Sequence, residues 1–188
     1  MTADPDLQCP DVVLIAGPTA SGKSALAVDI ATRLDGVVIK ADSMQVYDAL
    51  QILTARPGRD EMQGITHLLY GHVPASRAYS AGAWLADASA AIQAARVRGK
   101  TPVLVGGTGL YFKALEEGLS PMPAVDPAIR KAWREVAAAT PQTLHAELSR
   151  RDPQAAETLE PGDTQRLVRA LETHESTGRS ILDWQRQG

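Results

Sequence analysis

Gly17-Pro18-Thr19-Ala20-Ser21-Gly22-Lys23-Ser24 fits G-x-x-x-x-G-K-[ST], the pattern of a phosphate-binding loop. Its flanks are the ones that pattern needs. Val12-Val13-Leu14-Ile15-Ala16 is a short apolar run of the kind that forms a buried parallel strand. Ala25, Leu26, Val28, Ile30, Ala31 and Leu34 continue the chain as a helix of about three turns. The glycines allow a curled backbone whose N–H groups point at phosphate oxygens, and the helix N-terminus adds partial positive charge. In such a loop Lys23 supplies a mobile point charge for the terminal phosphate, and Ser24 a hydroxyl for Mg²⁺. A Gly-rich turn that binds nothing is the plain alternative, and a strand, loop and helix in register argue against it. The loop specifies a polyphosphate, ATP among the candidates, without saying which.

Working outward, Val37-Val38-Ile39-Lys40-Ala41 reads as a second strand with Asp42 at its carboxyl end. Ligands of open α/β sheets bind outside the carboxyl ends of the strands, so Asp42 is expected to share a crevice with the loop. Asp42-Ser43-Met44-Gln45-Val46-Tyr47 then packs a carboxylate, a hydroxyl, an amide and a phenol into a few positions. Residues 48–66 read as loop, and His67-Leu68-Leu69-Tyr70 as a short strand. Ser80 caps a helix running to about Arg98, with Trp84, Leu85, Ala88, Ile92 and Ala95 as its apolar stripe and Gly99 closing it. Val103-Leu104-Val105 is a third buried strand, ending in Gly106-Gly107-Thr108-Gly109 before another helix from Leu110 to Leu115. This alternation predicts an α/β fold: a P-loop NTPase-like parallel sheet with helices on both faces.

From residue 120 the texture changes. Pro121, Pro123 and Pro127 mark a boundary, and no strand-like run follows. Asp126-Pro127, Thr140-Pro141 and Asp152-Pro153 each place a cap residue before a proline suited to the first helical position. Asp163 or Thr164 opens a further helix that Gly178 ends. The expected organisation is a P-loop core over 1–120 and a helical subdomain over 121–188.

Composition narrows the function classes. At 188 residues, 44% apolar and 22% charged, the chain suits a globular domain with a substantial core. Its one cysteine, Cys9, excludes a disulfide framework and suits a reducing compartment. No run approaches membrane-spanning length, and the first residues lack a signal-peptide layout, so a cytoplasmic protein without a membrane partner is expected. A net charge of −3 carries no global nucleic-acid signature. Residues 1–95 hold 6 Lys/Arg against 10 Asp/Glu, whereas 96–188 hold 13 against 12. A polyanion partner would therefore be held by local arginines of the second half.

The third strand is informative in another way. Many phosphate-loop NTPases hold Mg²⁺ with an acid at the end of a hydrophobic strand, where this chain has Gly-Gly-Thr. That suits a diphosphate that leaves without ATP hydrolysis, with Asp42 as the acid placed to take a proton or to bind Mg²⁺ through water. A cap on the turn after the strand is its purely structural reading.

Gly-Pro-Thr-Ala-Ser-Gly-Lys-Ser, Ala-Asp-Ser-Met-Gln-Val-Tyr, Val-Gly-Gly-Thr-Gly-Leu-Tyr and the stretch Asp163 to Glu172 together resemble the tRNA dimethylallyltransferase family, in that family's order. The first block alone is generic; the others are specific in combination. The resemblance implies transfer of a dimethylallyl group from dimethylallyl diphosphate to N6 of the adenosine on the 3′ side of the anticodon in tRNA. It implies that Gly17 to Ser24 hold the diphosphate and that Asp42, Thr19 and Lys23 serve catalysis. Asp42, Ser43, Met44 and Gln45 would lie against the adenine, whose edge needs the paired donor and acceptor that Gln45 carries. Thr108, Arg130 and the strip Gln165, Arg166, Leu167, Val168 and Arg169 would touch the tRNA anticodon stem-loop. A monomer is expected, with Mg²⁺ as cofactor.

Each assignment has a plainer rival. Arg166 and Arg169 could pair with Asp163 and Glu172 on a solvated face, Arg130 could be a surface charge, and Thr108 a helix cap. Trp84, Trp133 and Trp184 read as packing residues. Gln51-Ile52-Leu53-Thr54-Ala55 and His67-Leu68 depart from the family's usual wording outside the chemical blocks. Members of that family continue past the position of Gly188, so the remaining core and part of the tRNA grip are expected there, and this chain alone is expected to bind pyrophosphate or a nucleotide but to modify tRNA poorly or not at all. A P-loop kinase for a nucleoside or small metabolite, and a diphosphate-binding module without turnover, are the competing readings.

Overall fold

In a computed structural model that describes residues 10–50 and 56–187, the apolar runs of the first half become parallel strands. β1 is Val13–Ala16, and the loop after it opens α1, Lys23–Arg33. β2 is Gly36–Ala41. The stretch expected to be loop instead holds a 3₁₀ turn at Asp48–Leu50 and a short α2 at Arg59–Met62. A local cap makes α2 possible: Glu61 Oε2 accepts from the Gly58 amide at 2.8 Å. β3 is trimmed to His67–Leu68, ending where Leu69 takes a φ of 62°. α3 (Ala81–Val97), β4 (Thr101–Gly106) and α4 (Gly109–Glu117) follow. Ser80 Oγ accepts from the Ala83 amide at 3.1 Å and starts α3 as expected.

The sheet runs in the order β1-β4-β2-β3, all parallel. β2 and β4 are buried along their whole length, which is why both read as near-continuous apolar runs, Lys40 in β2 excepted. Alternation splits their side chains between two cores. Val38, Val103 and Val105 meet Ala27 and Ala31 of α1 on one face. Val37, Ile39, Ala41 and Leu104 meet Trp84, Ala88 and Ile92 of α3 and Tyr111 and Phe112 of α4 on the other. Trp84 is fully buried, stacks on Tyr111 at 4.3 Å and donates its Nε1–H to the Lys40 carbonyl at 2.8 Å. A parallel sheet with helices on both faces and a phosphate loop after β1 is a P-loop NTPase-like α/β fold.

At the carboxyl end the strands close in. A Cβ on Gly106 would lie 1.7 Å from the Ala41 carbonyl oxygen, so only glycine lets β4 end against β2 there. The Gly17 amide donates to the Gly106 carbonyl at 3.2 Å, tying the start of the loop to the same spot.

The chain divides into two compact units, Met1–Gly118 and Leu119–Gly188. All described elements of the second unit are helical: α5 (Pro127–Ala139), a 3₁₀ turn (Pro141–Thr143), α6 (Leu144–Arg151), α7 (Pro153–Thr158), α8 (Thr164–Thr177) and α9 (Ile181–Gln185). Asp126, Asp152 and Asp163 cap α5, α7 and α8 through the amides of Ala128, Ala155 and Arg166. Thr140, expected to cap, makes no such bond; the Thr143 hydroxyl donates to its carbonyl at 2.8 Å and winds a 3₁₀ turn instead. Trp133, Leu144, Leu148, Leu167 and Leu171 form the core of this unit. Cys9 and Gln51-Ile52-Leu53-Thr54-Ala55 lie outside the described residues.

Candidate functional site

The phosphate loop, the end of β2 and the approach to β3 enclose a cleft of about 710 Å³ in the first unit. Thr19 to Ser24 form one wall, and Lys40, Asp42, Met44, Gln45 and His67 contribute to the rest. Gly22 caps α1 at φ 79°, a left-handed conformation that its missing Cβ makes cheap. The Lys23 ammonium donates to the Pro18 carbonyl across the loop, holding the curl from within. Ala20 also sits at positive φ, 64°, so the curl is imposed on a residue that gains nothing from it locally.

Asp42 stands on the same side of β2 as Lys40, two positions on. Its Oδ1 accepts from the amides of Met44 at 2.9 Å and Gln45 at 3.2 Å, so the carboxylate does cap its own turn. Its Oδ2 takes no hydrogen bond among the described residues, which leaves an oriented oxygen on a cleft-lining acid. The turn is fastened from across the sheet. The Ser43 amide donates to Thr108 Oγ1 at 2.9 Å, and the Thr108 amide donates to the Ala41 carbonyl at 3.3 Å. Thr108 therefore holds the β2 turn rather than capping α4 with its side chain. Met44 remains 53% exposed at the cleft wall.

Three further residues escaped the sequence reading. Lys40 is 1% exposed, and burial lowers its ammonium from 10.5 to about 8 against the attraction of Asp42; Lys23 lowers it further. Its Nζ lies 5.3 Å from the centre of the Tyr70 ring. Burial raises the Tyr70 phenol, whose oxygen has no hydrogen-bond partner among the described residues. His67 donates from Nδ1 to the Ile65 carbonyl at 2.9 Å, and burial lowers its pKa, so a neutral ring lines the cleft. The signal for Lys40 was present: a lysine within Val-Val-Ile-Lys-Ala, a run otherwise apolar on both faces.

Ser24 is the residue that would hold Mg²⁺. Its hydroxyl lines the cleft at the start of α1. Among the described residues no group of three or more His, Cys, Asp or Glu gathers as a metal cage. A single protein oxygen beside a phosphate site is the donor set Mg²⁺ commonly accepts, the rest coming from phosphate and water.

In the second unit the candidate RNA-contacting arginines are each paired with an acid. Arg166 meets Asp163 at 3.4 Å on an exposed face. Arg169 at 3.6 Å and Arg130 at 4.0 Å both reach Glu172, whose side chain is 6% exposed. Arg130 also borders a shallow basic depression with Lys131 and Arg134. Leu167 and Val168, expected in the contact strip, are corrected: helical periodicity turns both into the core, at 0% and 9% exposure. Trp84 and Trp133 are packing residues, as read.

A family profile for IPP transferase matches residues 45–188. The chain belongs to the IPP transferase family. A tRNA dimethylallyltransferase of Rhizobium johnstonii is 58% identical over 176 residues, covering 93% of this chain and 59% of that protein. One from Agrobacterium fabrum is 59% identical over 180 residues, covering 94% and 59%. Among solved structures, a eukaryotic dimethylallyltransferase acting on tRNA superposes with a TM-score of 0.71 at 31% identity, over 92% of this chain and 43% of that one. A tRNA isopentenylpyrophosphate transferase from Bacillus halodurans gives 0.58 at 38% identity, over 90% and 56%. The chain thus spans 59% of the length of these curated relatives.

The IPP transferase match takes in Gln45, Thr108, Arg130 and the α8 arginines. The phosphate loop and Asp42 precede the residues that the family profile matches.

Proposed function

We propose that the cleft binds dimethylallyl diphosphate and that the protein transfers its dimethylallyl group to N6 of the adenosine on the 3′ side of the anticodon in tRNA. The observation that carries this is the pairing of a phosphate loop with Asp42, an acid whose Oδ1 is fixed and whose Oδ2 is unengaged, in one cleft. The names of the relatives support the same reading.

The exocyclic amine of adenine is a weak nucleophile because its lone pair is delocalised into the ring. As N6 bonds to the allylic carbon, the carbon–oxygen bond to diphosphate breaks and the N6 proton passes to Asp42. The loop amides, Lys23 and the Thr19 hydroxyl stabilise the charge left on the departing diphosphate. Mg²⁺, when bound at Ser24, would add Lewis-acid charge neutralisation on the diphosphate oxygens. Ser43, Met44 and Gln45 would present the adenine, extruded from its stack, to Asp42. Arg130, Gln165, Arg166 and Arg169 would contact the stem-loop backbone.

The test is single-turnover incubation of protein in excess over an anticodon stem-loop, with dimethylallyl diphosphate and Mg²⁺, read by mass spectrometry. One adenosine should gain a dimethylallyl unit, even if slowly. An RNA that stays unmodified would reject transfer. Phosphorylation of a nucleoside by ATP would select the kinase reading.

A further inference from the structure

Lys40 occupies a position that the fold reserves for an apolar side chain. It is paired with Val105 across the sheet, shares the α1 face with Val38, and is 1% exposed. An ammonium so enclosed is costly unless a charge or ligand offsets it. What surrounds it offsets little. Tyr70 offers a ring face at 5.3 Å. Asp42 attracts it, but no ion pair to Lys40 exists among the described residues, and Asp42 Oδ1 is already committed to the Met44 and Gln45 amides. On its open side Lys40 lines the cleft beneath the phosphate loop, where Lys23 is the nearest like charge.

We propose that Lys40 is a second cation of the diphosphate site, contacting the anion from the sheet while the loop and Lys23 hold it from above. This rests on the reading of the cleft as a diphosphate site. A multiply charged anion is what two converging ammonium groups suit, and it supplies the counter-charge that the fold withholds from Lys40. The same residue gives the site a preference for diphosphate over monophosphate, because only the larger anion reaches both lysines.

Calorimetric titration of inorganic pyrophosphate and inorganic phosphate into wild type, Lys40→Met and Lys40→Gln tests this, with thermal melting of each unliganded protein. Lys40→Met should melt higher than wild type yet bind pyrophosphate about tenfold or more weaker, the scale of a lost charged hydrogen bond. Its phosphate affinity should change less. Lys40→Gln gives the same comparison should the Met variant fold poorly. Equal pyrophosphate affinity in wild type and either folded variant would overturn the assignment while leaving the diphosphate site intact. A wild type that binds no pyrophosphate would instead remove the site reading and this one with it.

Discussion

Asp42 shows how one residue can be both a structural cap and a chemical group. Two amides fix one carboxylate oxygen, which orients the other. Asp42→Asn keeps the cap, since the amide oxygen still accepts from Met44 and Gln45, but cannot take a proton. Pyrophosphate affinity should therefore persist while single-turnover prenyl transfer falls by roughly a hundredfold or more; unchanged transfer would remove Asp42 from the chemistry. Lys40 makes a stability prediction with a definite sign. Its ammonium sits near 8 in the folded protein against an ordinary 10.5, so folding costs about 3 kcal/mol wherever both states would be protonated. That cost is fully present below pH 8 and fades as pH rises through 8 toward 10.5, where the folded state binds fewer protons than the unfolded one. Lys23, Asp42, His67 and Tyr70 face it, so the comparison is made as a difference between variants. The melting advantage of Lys40→Met over wild type should be largest below pH 8 and shrink by pH 10. A constant advantage across that range would mean Lys40 is not the charge at issue.

Among the elements, the turn between β4 and α4 is the one whose sequence reading changed most. The resemblance makes Thr108 an RNA contact and its plainer rival is a helix cap; its hydroxyl makes no cap bond and accepts the Ser43 amide across the sheet. Thr108→Val should leave that amide without its partner and cost about 1–2 kcal/mol in denaturant unfolding. Transfer should fall more than pyrophosphate binding, and Thr108→Ser should restore both. The difference between what could and could not be read follows from the range of the interactions. β2, β4, α1 and α3 were legible because burial and capping write themselves locally, as in Val103-Leu104-Val105 and in Ser80 before α3. α2 was not, because a single bond from the Gly58 amide to the Glu61 carboxylate caps it against the loop-like composition. The Thr108–Ser43 contact spans 65 positions in sequence, and nothing in either neighbourhood announces it. Lys40 was visible as an anomaly in its strand, but its meaning depends on which residues the sheet brings beside it. Leu167 and Val168 lie within the family's motif, yet helical period alone turns both inward.

At the scale of the whole chain, acids outnumber bases in 1–95 and bases narrowly lead in 96–188, but the two units are each close to balance, 10 Lys/Arg against 12 Asp/Glu in 1–118 and 9 against 10 in 119–188. The arginines of the second unit are nevertheless not equivalent. Arg166 is 75% exposed and its pair with Asp163 lies on the surface, so Arg166→Ala should shift stability by less than about 0.5 kcal/mol. It should also flatten the dependence of log K on log salt for stem-loop binding by about one. Arg169→Ala removes a partner of the buried Glu172 and should destabilise the protein by about 1–3 kcal/mol, so a weakened RNA affinity there has two causes. An Arg166→Ala protein with an unchanged salt slope would leave that side chain a solvated surface charge. Trp84 offers a way to watch the other unit separately. It is the sole tryptophan of the first unit, and its indole is bonded to the carbonyl of Lys40 and stacked on Tyr111. With Trp133 and Trp184 exchanged for Phe, the fluorescence of this one chromophore becomes an optical gauge buried on the opposite face of the sheet from the Lys40 side chain, one hydrogen bond from the strand that carries it. Its emission should change on addition of pyrophosphate and saturate at the concentration calorimetry gives, reporting occupancy without a label.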